Sequence, residues 1–297
     1  MVFLRFLEGI RSPLLDTVIS LVTQLGEELV GVVIFCVIFW CISKRVGYRL
    51  GVAFFLSGMT VQGMKICFRI DRPWIIDPTL KPVPSAIEAA TGYSFPSGHT
   101  QSAVSLYGSL GAQIKQKLVK ALCFFVAILV AFSRMYLGVH TPLDVVASLL
   151  ISSLFVLLAV KVFNFDTVNK KREVIILLLM VLYAVAVIVI AVILYLNKMI
   201  GQDYVSDCLK GAGGGIGFAV GMFVERVYID FPVETKKPIW QVIKFILGFA
   251  GVVVIKEGLK LIIGTGLVVD MFRYFLMIAW VIGIFPLIIK RFFAKNI

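Results

Sequence analysis

The sequence predicts an all-α fold: a polytopic transmembrane helical bundle of about nine spans. Three observations carry that expectation. Of the 297 residues, 60% are hydrophobic, and the mean hydropathy is +1.00. A soluble domain is closer to half apolar. The apolar residues lie in runs of membrane length. The net charge of +12 gathers in turns between those runs, as expected of loops that face the cytoplasm and anionic lipid. No nucleic-acid-binding motif accompanies this charge, so the expected surroundings are a lipid bilayer and not nucleic acid. Cys36, Cys41, Cys67, Cys123 and Cys208 are scattered, mostly inside apolar runs. They read as small packing residues, not as a disulfide or zinc framework.

Taken in order, Met1 to Pro13 lacks a cleavable signal pattern and reads as an amphipathic helix lying in the interface. Residues 14–24 are apolar but short, and they contain Asp16, so they too read as interfacial. Nine candidate spans follow, at about 28–42, 46–66, 97–113, 118–133, 143–163, 173–196, 208–227, 239–263 and 266–289. Basic turns lie at Lys44, Arg45 and Arg49, at Lys115, Lys117 and Lys120, and at Lys170, Lys171 and Arg172. Two more lie at Lys236 and Lys237, and at Lys290, Arg291 and Lys295. Strict alternation puts all of them on one side, which the excess of positive charge assigns to the cytoplasm. The N-terminus is then outside and the C-terminus inside. The same alternation brings Lys65, the proline-containing segment 69–95, Ser97 and the turn at 134–142 together on the outer side.

Those outer stretches carry the polar chemistry. In Ser133–Asp144, Thr141-Pro142 reads as an N-cap followed by a proline in the first helical position. Asp144 then lies in the first turn, where a carboxylate suits the helix dipole. His140, four residues earlier, can give one ring nitrogen to that carboxylate and keep the other free as base or nucleophile. A polar loop with a capped helix is the simpler reading of this stretch alone. In Pro96-Ser97-Gly98-His99, Ser97 can cap a helix. Gly98 permits close backbone approach, and the exposed N–H groups attract an anion. The alternative there is an ordinary helix start. Lys65 and Arg72 alone read as headgroup anchors with snorkelling stems. Composition favours the functional readings. The chain has two histidines, His99 and His140, and both fall at expected helix starts on one face. Lys65, Arg72 and Arg134 can surround a tetrahedral dianion there, and charges at such depth are costly unless they serve a function. Two histidines beside a phosphate divide into nucleophile and general acid.

Lys-x6-Arg-Pro at 65–73, Pro-Ser-Gly-His at 96–99 and Ser-Arg-x5-His-x3-Asp at 133–144 resemble the three signature motifs of the type 2 phosphatidic acid phosphatase superfamily. That superfamily includes lipid phosphate phosphatases, glucose-6-phosphatase and vanadium haloperoxidases. The resemblance implies that His140 attacks phosphorus and forms a phosphohistidine, while Asp144 orients His140 and stabilises its charge. His99 would protonate the leaving group and then activate water. Lys65, Arg72, Arg134 and the backbone near Ser97 and Gly98 would hold the phosphate oxygens. No metal or other cofactor is implied. The family core would occupy 1–165 together with the interfacial N-terminal helices, and 166–297 would add further transmembrane helices without a family motif.

The expected substrate is a membrane lipid phosphate or diphosphate, such as undecaprenyl diphosphate or phosphatidylglycerol phosphate, hydrolysed on the outer face of a bacterial plasma membrane. The same site could serve a lipid phosphotransferase or a sugar-phosphate phosphatase. An anion transporter suits broken helices and a basic vestibule, but leaves the placement of the two histidines unexplained. Gly211–Gly217 lacks the strand and Gly-Lys-Ser/Thr of a phosphate loop, and Gly217 with Gly221 reads as close helix packing. Lys256, Glu257, Lys260, Asp270 and Arg273 read as an ion-pair cluster joining the last two helices, or else as a second headgroup contact. Trp74 and Tyr93 read as interface aromatics.

Overall fold

The computed structural model describes residues 1–293 except Ala89, Val162, Asn164 and Asp166. Lys295 therefore lies outside the described residues. All regular elements among those described are helical. They are α1 Val2–Gly9, α2 Pro13–Gln24, α3 Glu28–Ile42, α4 Lys44–Phe68, α5 Pro73–Ile76, α6 Pro84–Ile87 and α7 at 98–113. They continue with α8 Lys117–Tyr136, α9 Pro142–Lys161, α10 Lys170–Leu196, α11 at 202–229, α12 Pro238–Ile263 and α13 Leu267–Phe292.

Every expected span coincides with a helix, but the count of about nine spans is not borne out. Among the described residues six helices are long and apolar enough to cross a membrane, or up to seven if a bent pair is one span. The shortfall has local causes. Helix α7 would be only about 24 Å long at 1.5 Å per residue, against roughly 30 Å of hydrocarbon. In α11, glycines and the charged residues Asp203, Asp207 and Lys210 dilute the hydropathy. Helix α3 is short, and with α2 it forms the pair bent by 48°. The chain is an integral membrane protein by its apolar helices.

Helix starts follow the capping logic of the sequence. Ser12 accepts from the Leu15 N–H and Ser43 from the Val46 N–H, each satisfying a donor that the helix cannot. Helix α1 packs on the protein, since Leu4 and Leu7 are buried, Leu7 in a cluster with Val83, Ala86 and Leu137.

Helix α4 crosses the middle of the bundle and packs against α7, α9 and α11. The closest helix pair is α11 with α13. There a Cβ on Gly213 would meet the Met271 carbonyl oxygen at 2.3 Å, and one on Gly217 would meet that of Phe275 at 2.5 Å. Small residues thus let two backbones touch, where lipid offers no hydrophobic drive for association. The largest apolar cluster draws on both halves of the chain, including Phe39, Tyr48 and Val52 with Phe218, Ile282 and Phe285. A polar seam ties α4 to α7: Gln101 donates to Ser57 Oγ at 2.9 Å, and Ser57 shares a 2.8 Å bond with Ser105. All five cysteines are free.

Candidate active site

The site forms where the ends of α4, α7, α8 and α9 meet two loops. Arg69, with φ of 51° in the left-handed region, ends α4 and turns the chain into the 69–95 segment. Beyond α8 the backbone reverses through Gly138, whose φ is +76° and whose added Cβ would lie 3.2 Å from the Pro82 backbone. Positive φ and close approach both require glycine there. The N-terminal arm clamps this turn. Arg11 donates to the Tyr136 carbonyl at 2.7 Å and to the Lys81 carbonyl, and the Val83 N–H reaches the Leu137 carbonyl at 3.0 Å.

Asp144 and Thr141 cap α9 reciprocally. The Asp144 carboxylate accepts the Thr141 N–H at 2.7 Å, and the Asp144 N–H reaches Thr141 Oγ1 at 3.3 Å, a capping box with aspartate in the third helical position. The same Oδ2 accepts from Ser94 Oγ at 2.6 Å and lies 3.4 Å from His140 Nδ1. One carboxylate oxygen therefore serves helix, loop and imidazole. His140 is 1% exposed. Its Nε2 accepts from Arg72 Nη1 at 2.9 Å, which leaves Nδ1 to carry the proton toward Asp144. Burial, together with Arg72, Arg134 and Lys65, holds the His140 ring well below the usual imidazole range, because each of these disfavours the imidazolium.

The cations are held by carbonyls. Arg72 donates to the oxygens of Gly92 at 3.0 Å, Thr91 at 2.6 Å and Val139 at 3.0 Å. Lys65 Nζ donates to Tyr93 at 2.9 Å. Arg134 donates to Thr23 Oγ1 at 2.7 Å, while its Nε and Nη2 are buried without a partner among the described residues. His99 Nε2 is likewise buried and unpartnered among the described residues. These groups face one cavity of about 490 Å³ lined by Lys65, Arg72, Gly98, His99, Arg134 and His140. An added Cβ on Gly98 would meet nothing within 4 Å, so that helix start is open to a ligand.

Two site candidates stand back from the cavity. Asp144 lies behind His140, against its Nδ1. Ser97 caps α7, with Oγ accepting from Thr100 and its N–H donating to the Asp144 carbonyl at 3.2 Å. Its N–H thus joins α7 to the start of α9. Sequence reasoning missed Ser94, which holds Asp144, and Thr23, which holds Arg134. Ser94 is three residues before Ser97 in a segment already marked as polar. Nothing local marks Thr23, whose role depends on α2 folding against α8. Trp74 lies beneath the Arg72 guanidinium, 5.9 Å from carbon to ring centroid, and Tyr93 stacks on Tyr204 of α11 at 4.2 Å.

Asp270 and Arg273 pair at 2.7 Å on α13 itself. No ion pair links them to Lys256, Glu257 or Lys260 among the described residues, since i,i+3 spacing brings the two together without α12.

Residues 46–168, which contain all eight site candidates, match the family model described as PAP2 superfamily. Residues 209–296 match the model described as PAP2 superfamily phosphatase, transmembrane extension. The chain belongs to the PAP2 superfamily. An undecaprenyl-diphosphatase of Sulfolobus acidocaldarius is 31% identical over 140 residues, which cover 45% of this chain and 63% of that protein. A probable sphingosine-1-phosphate phosphatase of Dictyostelium discoideum is 27% identical, covering 49% of this chain and 38% of that protein. Sphingosine-1-phosphate phosphatase 1 of Rattus norvegicus is 30% identical, covering 52% and 37%. The chain thus spans less than two thirds of the length of each. The solved structure of Aquifex aeolicus LpxE is 29% identical with a TM-score of 0.44, covering 53% of this chain and 92% of that one. The PAP2 match ends near the start of α10, and the extension match begins inside α11 and runs through α12 and α13.

Proposed function

We propose that this PAP2 protein is a metal-independent phosphatase that hydrolyses a lipid phosphate or diphosphate through a phosphohistidine on His140, at the outer face of the membrane. The observation that carries the reading is His140 itself: neutral, buried, backed by Asp144 on Nδ1, with Nε2 turned toward a cavity lined by three cations. The family and the relatives named as phosphatases of lipid substrates support the reaction class. The core of the enzyme is taken as 1–165, with 166–297 added to it.

The chemistry runs in two steps. As the phosphate enters, Arg72 exchanges its bond to Nε2 for one to a phosphate oxygen, which frees the nitrogen lone pair. Nε2 attacks phosphorus, the bond from phosphorus to the leaving oxygen breaks, and His99 gives that oxygen its proton. A bound dianion favours the imidazolium of His99 that this transfer needs. Asp144 stabilises the positive charge that develops on His140. Lys65, Arg72, Arg134 and the open N–H at Gly98 hold the equatorial oxygens, where preorganised donors gain most as charge builds. His99, now neutral, takes a proton from water, which attacks phosphorus, splits the N–P bond and releases inorganic phosphate.

The test is phosphate release by the purified protein, in EDTA, from a panel of lipid phosphates, lipid diphosphates and sugar phosphates. Release from the lipid members with acid-labile label on His140 is expected. Release confined to sugar phosphates, dependence on a metal, or capture of the phosphoryl group by added lipid in place of water would each overturn it.

A further inference from the structure

The cavity extends well past the catalytic groups. On α4 its wall runs from Lys65 to Leu50, about 22 Å at the helical rise of 1.5 Å per residue. The far part is apolar, with Phe35 of α3 and Phe55 of α4 among its walls. The C-terminal helices supply the rest. From α13 come Tyr274, Met277, Ile278 and Val281, and from α11 come Asp207, Lys210, Gly211 and Gly214. Both sets have the i, i+3, i+4, i+7 spacing of a single helix face. The glycines of α11 thus divide into two stripes. Gly213 and Gly217 abut the backbone of α13, whereas a Cβ on Gly211 would meet nothing within 4 Å and one on Gly214 would lie 3.0 Å from the Phe55 ring.

We propose that α11 and α13 form one wall of a channel for the hydrocarbon tail of the substrate, and that Gly211 and Gly214 keep it open and so select the tail. This deepens the phosphatase reading and rests on it. The occupant follows from continuity. A single cavity has cations and histidines at one end and aromatic and aliphatic side chains at the other. Its ligand must carry a phosphate and an apolar chain in line. Toward that far part polar side chains become few, with Gln101 and Ser102 among them, and ordered water needs polar partners. The catalytic motifs place the phosphate, and the C-terminal helices read what is attached to it.

Two measurements test this. The first compares hexadecyl phosphate with butyl phosphate in Gly211→Ala, Gly211→Leu and Gly211→Phe. The ratio of kcat/KM for the long to the short substrate should fall with side-chain size, by about tenfold for leucine, the scale of a pocket filled by a few methylenes. An unchanged ratio overturns the channel. The second uses Gly211→Cys, a smaller change that protects the test if the bulky variants do not fold. Hexadecylphosphonate should slow maleimide modification at 211, read by peptide mass spectrometry, whereas butylphosphonate and inorganic phosphate should not. Equal rates with all three overturn the channel. This arm needs no turnover. A wild-type protein that hydrolyses neither phosphate would sink the phosphatase reading and still leave the protection result to decide the channel.

Discussion

The two ends of the bundle both bury charge, and they do so in opposite ways. At the basic end, Lys44 reaches Glu225 at 3.1 Å and also Asp230, while Arg226 and Arg172 converge on Glu173 at 3.0 and 3.1 Å. Each of these cations meets a carboxylate. At the site end, Lys65, Arg72 and Arg134 are buried more deeply than Lys44 and Arg172, but among the described residues none has a carboxylate partner. Their N–H groups meet carbonyls, one hydroxyl and the His140 ring nitrogen. A carbonyl satisfies a donor without cancelling its charge. The first arrangement is complete in itself and holds helices together. The second retains net positive charge and unpartnered donors among the described residues, the arrangement that the proposed phosphate would complete. Pairing separates structural from functional burial here, since an uncompensated buried charge is costly.

The contrast can be broken most sharply at His140. His140→Ala should cut phosphate release by about 10⁵-fold or more with no loss of folded protein by size exclusion. Near-wild-type release would end the phosphohistidine mechanism. Asp144→Asn should lower kcat by about 10²- to 10⁴-fold, since it removes orientation and charge stabilisation together. An effect confined to KM would make Asp144 a binding residue.

At the paired end the expectation reverses. Glu173→Gln leaves Arg226 and Arg172 without their carboxylate. It should destabilise the protein by about 3 kcal/mol in detergent denaturation, with kcat per folded molecule unchanged. A loss of kcat with stability intact would erase the distinction between the two ends. Ser94→Ala removes one hydrogen bond to Asp144 and should cost about tenfold in kcat, the scale of a bond to a charged group. Rescue by Ser94→Thr would confirm that the hydroxyl is the source.

The smallest effect is on pH dependence. His140 is held below the usual imidazole value of 6.5, so between its depressed pKa and that value the unfolded chain binds a proton that the folded chain does not. Stability is therefore fully present above about pH 6.5 and erodes as pH falls below it, by at most about 1.4 kcal/mol per pH unit from this one group. His140→Gln should flatten that part of the curve. An unaltered slope would show that His140 titrates normally.

Much of this molecule was legible from local pattern. Apolar runs and basic turns located the helices, because burial in lipid demands continuous apolar helix whatever the packing. Thr141-Pro142 and Ser97-Gly98 marked helix starts because capping is a contact within a few residues. The spacing of His140 and Asp144 predicted their approach for the same reason. What sequence could not decide were contacts between distant segments. The span count is a separate matter and a local one: α3 and α7 are short, and glycines and charges dilute α11, so an apolar run alone overstated their reach. Arg134 rests on Thr23, Asp144 on Ser94, and the loop carbonyls around Arg72 have no residue-type signature at all. The stripe at Gly211 and Gly214 looked like part of one packing motif. Only the crossing of α11 with α13 turns Gly213 and Gly217 into the seam and leaves Gly211 and Gly214 facing the cavity, since which face of a helix is covered is set by its neighbours and not by its composition.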